Sequence, residues 1–279
     1  MWWSKPLMTA WQTWALSADG TPRHTASSSL WPVRYQGCAA ILKLTHPNSD
    51  EHLAPLLLQA WNGCGAVRLL QCAHSAQLLE RAIPGTPLAQ YPTSDHDTII
   101  ALLTQQLATA PLPELPDALS WGRSLLQHPA PASLPAAHWQ DAQRLYRQLA
   151  KTQQYCYTLH GDLHHDNIVY DQERGWLAID PKGVRAEREF ELGCALRNPL
   201  LIRPERTQLL ARLASYCATG QYNPARVLGW TFTQAMLAAG WAVEDGTSPS
   251  HWVHVAEEAR ALAVGSMATP SFRFFEQPD

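Results

Sequence analysis

The chain has 279 residues, 46% of them hydrophobic and 16% charged, a composition typical of a folded globular protein with one or two cores. A formal net charge of -3 built from interspersed signs excludes a basic face for a nucleic-acid backbone and a polybasic run for a membrane surface, leaving small molecules as the expected partners. The six cysteines are scattered, with no Cys-x-x-Cys pair, which argues against a disulfide framework or a zinc ribbon. No apolar run approaches membrane-spanning length, so the expected form is a cytoplasmic monomer or weak dimer.

In chain order, apolar runs at 13–16, 31–35 and 39–44, separated by turn residues at Asp19-Gly20 and Gln36-Gly37, predict a small antiparallel sheet. Between its first two strands, residues 21–29 form a polar, hydroxyl-rich loop. Pro47-Asn48-Ser49-Asp50 supplies N-cap chemistry for a helix over 50–61 that stops at Asn62-Gly63, and strands near 67–72 and 77–80 follow. Residues 81–87 carry two prolines and a glycine, which interrupt both periodicities and read as a linker. Beyond it, helical patterns cover 95–109, 136–153, 204–218, 224–244 and 248–266, and a hairpin at 167–170 and 176–179 interrupts them. The expected fold class is α+β: an N-terminal sheet lobe (1–80), a hinge (81–87) and a larger helical lobe (88–279) that carries the hairpin.

The chemistry concentrates in His160-Gly161-Asp162-Leu163-His164-His165-Asp166-Asn167 and in Ile179-Asp180-Pro181-Lys182-Gly183. Phosphoryl transfer needs a carboxylate for the acceptor hydroxyl, oxygen ligands for a metal and a cation on the phosphates. Asp162 and Asn167 are five residues apart, the interval between base and metal-binding amide in the kinase catalytic loop, and Asp180 ends the next strand, where kinases place a metal-binding aspartate. No glycine-rich P-loop pattern occurs, which rules against a P-loop fold. His160, His164 and His165 could also be read as a zinc cluster, but nearby oxygen donors suit magnesium better.

These motifs, with Ser28-Ser29-Leu30-Trp31, Leu42-Lys43-Leu44, 63–70, 78–81 and Leu196-Arg197-Asn198-Pro199, resemble the aminoglycoside phosphotransferases, in particular the streptomycin 6-phosphotransferase and hydroxyurea phosphotransferase branch. The resemblance implies a bilobal protein-kinase-like fold using ATP and Mg2+. It implies Lys43 on the nucleotide's α- and β-phosphates, Glu51 holding that lysine, and Ser27, Ser28 and Ser29 covering the phosphates through backbone N–H groups. Glu80, Arg81 and Ala82 would present backbone groups to adenine. Asp162 would be the catalytic base, His160 an orienting residue, and Asn167 and Asp180 the metal ligands.

Acceptor recognition is less sharply marked. Kinases of polycationic aminoglycosides need carboxylates, and the candidates are Glu187, Glu189 and Glu191 together with Glu244, Asp245, Glu257 and Glu258. Trp241 and Trp252 are candidate stacking platforms, as the resemblance places them in helices that line the acceptor site. Arg185 and Arg188 sit among the first acidic group and point to an acceptor less cationic than streptomycin. A metabolic sugar or amino-alcohol kinase, or a nucleotide-binding regulatory pseudokinase, would share the nucleotide motifs.

Overall fold

The computed structural model describes residues 4–25, 27–46, 49–199 and 203–265. In chain order its elements are α1 (Ser4–Thr13), β1 (Ser17–Ala18), β2 (Arg23–His24), β3 (Ser28–Tyr35), β4 (Cys38–Thr45), α2 (Ala54–Trp61), β5 (Leu69–Ala73), β6 (Ala76–Glu80) and β7 (Pro84–Pro87). There follow α3 (His96–Leu107), α4 (Ala118–Trp121), α5 (Arg123–Gln127), α6 (Ala136–Lys151), β8 (Tyr157–Leu159), β9 (Ile168–Asp171), β10 (Gly175–Ala178) and β11 (Val184–Ala186). The chain closes with α7 (Arg188–Arg197), α8 (Arg206–Thr219), α9 (Pro224–Glu244) and α10 (Ser250–Gly265). The described residues fall into two compact units, those up to Tyr91 with Asn167–Gly183, and Pro92–Asp166 with those from Val184 on. Among the described residues no helix is long and apolar enough to cross a membrane.

The first unit is built on an antiparallel sheet in the order β1-β3-β4-β6-β5, with β2 added to β3. Strand β4 shows why it forms: Ala40, Leu42 and Leu44 alternate onto one buried face with Val33 and Leu78, and Lys43 lies on the other. Where the sequence suggests a strand at 13–16, α1 ends at Thr13 and the chain turns at Trp14 and Ala15 before β1. Leu7, Ala10 and Trp11 of α1, with Trp14 just beyond it, recur at helical spacing and pack onto that face of the sheet, which outweighs the strand preference of tryptophan. Helix α2 begins at Ala54 rather than 50. Pro47 and Asn48 of the expected cap lie outside the described residues, while Ser49 Oγ accepts from the Glu51 N–H at 3.2 Å.

The expected linker at 81–87 is tied down. Strand β7 pairs with β9, the Ile83 N–H donates to Asp171 at 2.8 Å, and the Gln172 N–H donates to the Ile83 carbonyl at 2.8 Å. The β9–β10 hairpin therefore belongs to the first unit and not, as expected, to the helical one. Backbone bonds from Ala178 N–H to Gly65 O and from Val67 N–H to Ala178 O fasten it further.

The second unit is helical around α9, whose residues from Val227 to Gly240 are all buried. Helix α7 has no counterpart in the expected elements. Every residue from Phe190 to Leu196 is buried, so the segment shows no apolar stripe against a polar face and the periodic signal vanishes. Arg212 of α8 clasps the end of α7, donating to the carbonyls of Ala195, Leu196 and Asn198 while pairing with Asp97 at 2.9 Å. Residue 266, the last of the expected C-terminal helix, lies outside the described residues.

Helices α7 and α9 cross at Gly193. A Cβ there would meet the Trp230 Cβ at 2.6 Å and the Trp230 backbone carbon at 2.9 Å. Replacing a helical glycine by alanine ordinarily stabilises by about 0.5–1 kcal/mol. Gly193→Ala is expected to do the reverse, lowering unfolding free energy by about 1–3 kcal/mol, because one of two packed helices must shift. Chemical denaturation of the purified variant checks the sign.

Candidate active site

In the first unit Lys43 is 1% exposed, and burying an ammonium is costly unless carboxylates meet it. Two do: its Nζ pairs with Glu51 and with Asp180 Oδ1 at 2.6 Å. Burial pulls the Lys43 pKa down, but Asp180 and Glu51 more than offset this, so it lies above the ordinary lysine value and the group is charged. Asp180 reaches the lysine from just past the end of β10, with the backbone in the left-handed region (φ 58) that aspartate tolerates better than most residues. Lys182, two residues on, pairs with Asp50 at 3.0 Å.

Asn167 and Asp180 flank the open end of the β9–β10 ladder, where the Ile179 N–H donates to the Asn167 carbonyl at 2.9 Å. The Asn167 amide oxygen and the Asp180 carboxylate are hard oxygen donors, the chemistry that a divalent cation such as magnesium takes. The serine loop folds as a tight β2–β3 turn: Thr25 Oγ1 accepts from the Ser28 N–H at 3.0 Å, and Ser29 Oγ bonds His24 Nδ1 at 2.8 Å. Ser28 and Ser29 are buried, and the Ser27 carbonyl accepts from the His46 N–H. At 80–82, the Glu80 and Arg81 N–H groups are occupied by the carbonyls of Arg68 and Ala39. The Glu80 carboxylate holds Arg68 and Arg174, and Arg81 holds Asp19 at 2.5 Å. Ala82 lies beside them, its carbonyl against the turn at Gly85.

The second unit carries Asp162. Its own N–H donates to His160 Nδ1 at 3.2 Å, so the buried imidazole shapes the turn. Beneath the loop, fully buried Glu191 accepts from the Gly161 N–H at 2.8 Å through Oε2 and from the Leu163 N–H at 2.9 Å through Oε1. Burial pushes the Glu191 pKa up to about 7 in spite of these donors, and the Asp162 charge adds to the rise. Around the Asp162 carboxylate stand the Cys194 thiol, 3.5 Å from Oδ1, Arg197 at 3.9 Å from Oδ1, and His164 at 3.9 Å from Oδ2. The three histidines do not converge. His164 Nδ1 accepts from the Asp166 N–H, while His165 packs edge-on to His96 and is pushed down to about 3 by burial and by Arg212. Among the described residues no three His, Cys, Asp or Glu side chains form a metal-binding group.

The acidic residues proposed for the acceptor are mostly engaged elsewhere. Glu191 anchors the loop, and Glu187 is buried on Arg226 at 2.7 Å and Trp230 Nε1 at 2.5 Å. Glu189 accepts from the Asn223 N–H at the start of α9, and Glu258 pairs with Arg206 at 2.8 Å. Glu257 is exposed on α10 and Trp241 half-buried on α9. Arg188 lies over the Tyr157 and Tyr222 rings. The side chains near Asp162 are instead a thiol, a guanidinium and an imidazole. Of these His164 stands in the His160–Asn167 motif and Arg197 in Leu196-Arg197-Asn198-Pro199, while nothing in the sequence marks Cys194.

The profile of the aminoglycoside/hydroxyurea antibiotic resistance kinases matches residues 13–246. The chain belongs to that family. Its relatives include a streptomycin 3''-kinase of Klebsiella pneumoniae, 35% identical over 248 residues that cover 84% of this chain and 91% of the relative. A streptomycin 6-kinase of Streptomyces glaucescens is 29% identical over 255 residues, covering 84% and 81%. Among solved structures, aminoglycoside phosphotransferase APH(4)-Ia matches with a TM-score of 0.68 at 12% identity, covering 92% of this chain and 98% of that one, a likeness of protein-kinase-like fold. This member of the resistance-kinase family is thus a small-molecule phosphotransferase.

The buried Glu191 gives a pH signature. Its folded pKa lies above the ordinary glutamate value of about 4.3, so its contribution to stability is fully present below that value and is lost as pH rises through about 7. The stability of the wild type relative to Glu191→Gln should therefore fall by on the order of 2–3 kcal/mol between pH 4.5 and pH 8. Denaturant titrations of both proteins at the two pH values measure it.

Proposed function

We propose that this kinase transfers the γ-phosphoryl group of ATP, with Mg2+, to a hydroxyl of a streptomycin-class aminoglycoside. The observation that carries the reaction is the buried Lys43 ammonium between Glu51 and Asp180, a fixed positive charge of the kind that phosphate oxygens need. The acceptor class rests on the streptomycin kinases among its relatives.

In this reading Asp162 accepts a hydrogen bond from the acceptor hydroxyl and orients it along the line of attack. The new O–P bond forms as the bond from the γ-phosphorus to the β-γ bridging oxygen breaks. The hydroxyl proton passes to Asp162, and ADP leaves with the bridging oxygen. Lys43 places its charge against the phosphate oxygens, with Glu51 fixing its position. Asn167 and Asp180 would hold magnesium, which supplies further neutralisation of phosphate charge. His160 and Glu191 hold the turn that presents Asp162. Segments 27–29 and 80–82 would border the phosphates and adenine, with the N–H groups of Ser28, Glu80 and Arg81 kept by the protein's own acceptors.

Purified protein with ATP and magnesium should convert streptomycin to a singly phosphorylated product, identified by mass spectrometry and assigned to one hydroxyl by NMR. Turnover with hydroxyurea or simple sugars should be lower. Asp162→Asn should lower turnover by about 10²–10⁴-fold, the usual contribution of a positioned base. Chelation of the metal should abolish activity, and added magnesium should restore it. Phosphorylation of sugars or amino alcohols in preference to streptomycin would reject the acceptor class. Undiminished turnover in Asp162→Asn would reject the base.

A further inference from the structure

Arg197 has no part in the reaction as described, yet it is placed against the proposed base. It is the last residue of α7, one helical turn beyond Cys194, whose thiol lies 3.5 Å from Asp162 Oδ1. Its Nη2 lies 3.5 Å from the same sulfur and 3.9 Å from Oδ1. The guanidinium carbon stands 5.1 Å from the centroid of the Trp252 ring, and the side chain is only 12% exposed. Among the described residues its Nε has no hydrogen-bond partner; the Cys194 sulfur, the Trp252 face and the Asp162 carboxylate are the groups around the guanidinium. The chain thus keeps a nearly buried cation within reach of the one carboxylate that must meet the acceptor hydroxyl.

We propose that Arg197, seated on Trp252, is a positioning residue that fixes the orientation of the Asp162 carboxylate. This rests on Asp162 being the base. A planar guanidinium suits the task, since it can lie flat on an indole while directing N–H groups in its plane toward a carboxylate. A lysine can supply the charge without the plane. The thiol of Cys194 sits beside the guanidinium, in contact with both Arg197 Nη2 and Asp162 Oδ1, and braces the pair. Misplacing a catalytic group by an ångström costs about 10²-fold in rate, which sets the scale for losing this support.

The test is a double-mutant cycle on the full chain, with streptomycin and ATP as substrates. Arg197→Gln is expected to lower kcat by about 10–100-fold while the KM for streptomycin changes less than about threefold. Arg197→Lys and Trp252→Leu should fall between it and the wild type. In the Asp162→Asn background, Arg197→Gln should change kcat by less than about twofold, because there is no base left to position. Single-turnover phosphate transfer has the sensitivity for these slow variants, and melting temperatures report on folding. If Arg197→Gln does not fold, Arg197→Lys and Trp252→Leu carry the same comparison.

An equal loss in both backgrounds, or a loss confined to the KM for streptomycin, would overturn the proposal in favour of direct acceptor contact. An unchanged kcat with a lowered melting temperature would overturn it in favour of packing alone. Undiminished turnover in the Asp162→Asn single variant would instead remove the base assignment, a failure separate from anything Arg197 does.

Discussion

The constraint on which the first unit depends is the burial of one positive charge. Lys43 is almost wholly enclosed on β4, and an isolated ammonium there would cost far more than a domain's net stability. Glu51, from the turn ahead of α2, and Asp180, from the end of β10, make the position tenable. Three segments distant in sequence must therefore assemble together. The sheet supplies the lysine, the approach to α2 one acid, and the hairpin the other. Fastening the hairpin to this unit through β7 and the Gly65–Val67 segment is part of the same requirement.

The second unit poses the inverse problem with a buried carboxylate. Among the described residues no cation pairs with Glu191. Backbone N–H groups of Gly161 and Leu163 stabilise its charge, and in doing so it fixes the turn that carries Asp162. Cys194 and Arg197 follow it on α7 at intervals of three, so one stripe of a single helix supports the loop from below and borders the Asp162 carboxylate. Gly193 lets α9 lie close against this helix, and Arg212 ties down its end.

The residues that the structure gathers around Lys43 and at the Asp162 turn were partly legible because they stand out by residue type and short spacing. Asp162 and Asn167 share one motif, Asp180 stands in a second just after it, and Lys43 lies in a strand with regular alternation. Several elements were hidden for physical reasons. Helix α7 is buried on all sides and so lacks an amphipathic pattern, and Trp14, in the turn after α1, imitates a strand residue. Pro84 and Pro87 look like linker residues but bound a short strand whose partner lies far along the chain. The acidic run 187–191 carries the composition of a cation-binding surface. Its side chains point instead to Arg226, to the Asn223 N–H and to the turn that carries Asp162, contacts made only by tertiary packing.

Family membership and fold agree on a kinase, and the division of labour within it is open to direct measurement. Calorimetric titration of ATP with magnesium into the wild type, Lys43→Met and Asp162→Asn, each checked for folding by circular dichroism, separates nucleotide holding from base action. If the buried lysine holds the nucleotide, Lys43→Met will weaken binding by roughly tenfold or more, while Asp162→Asn binds as the wild type does. Wild-type affinity in a folded Lys43→Met protein would contradict the role given to the charge at the centre of the first unit.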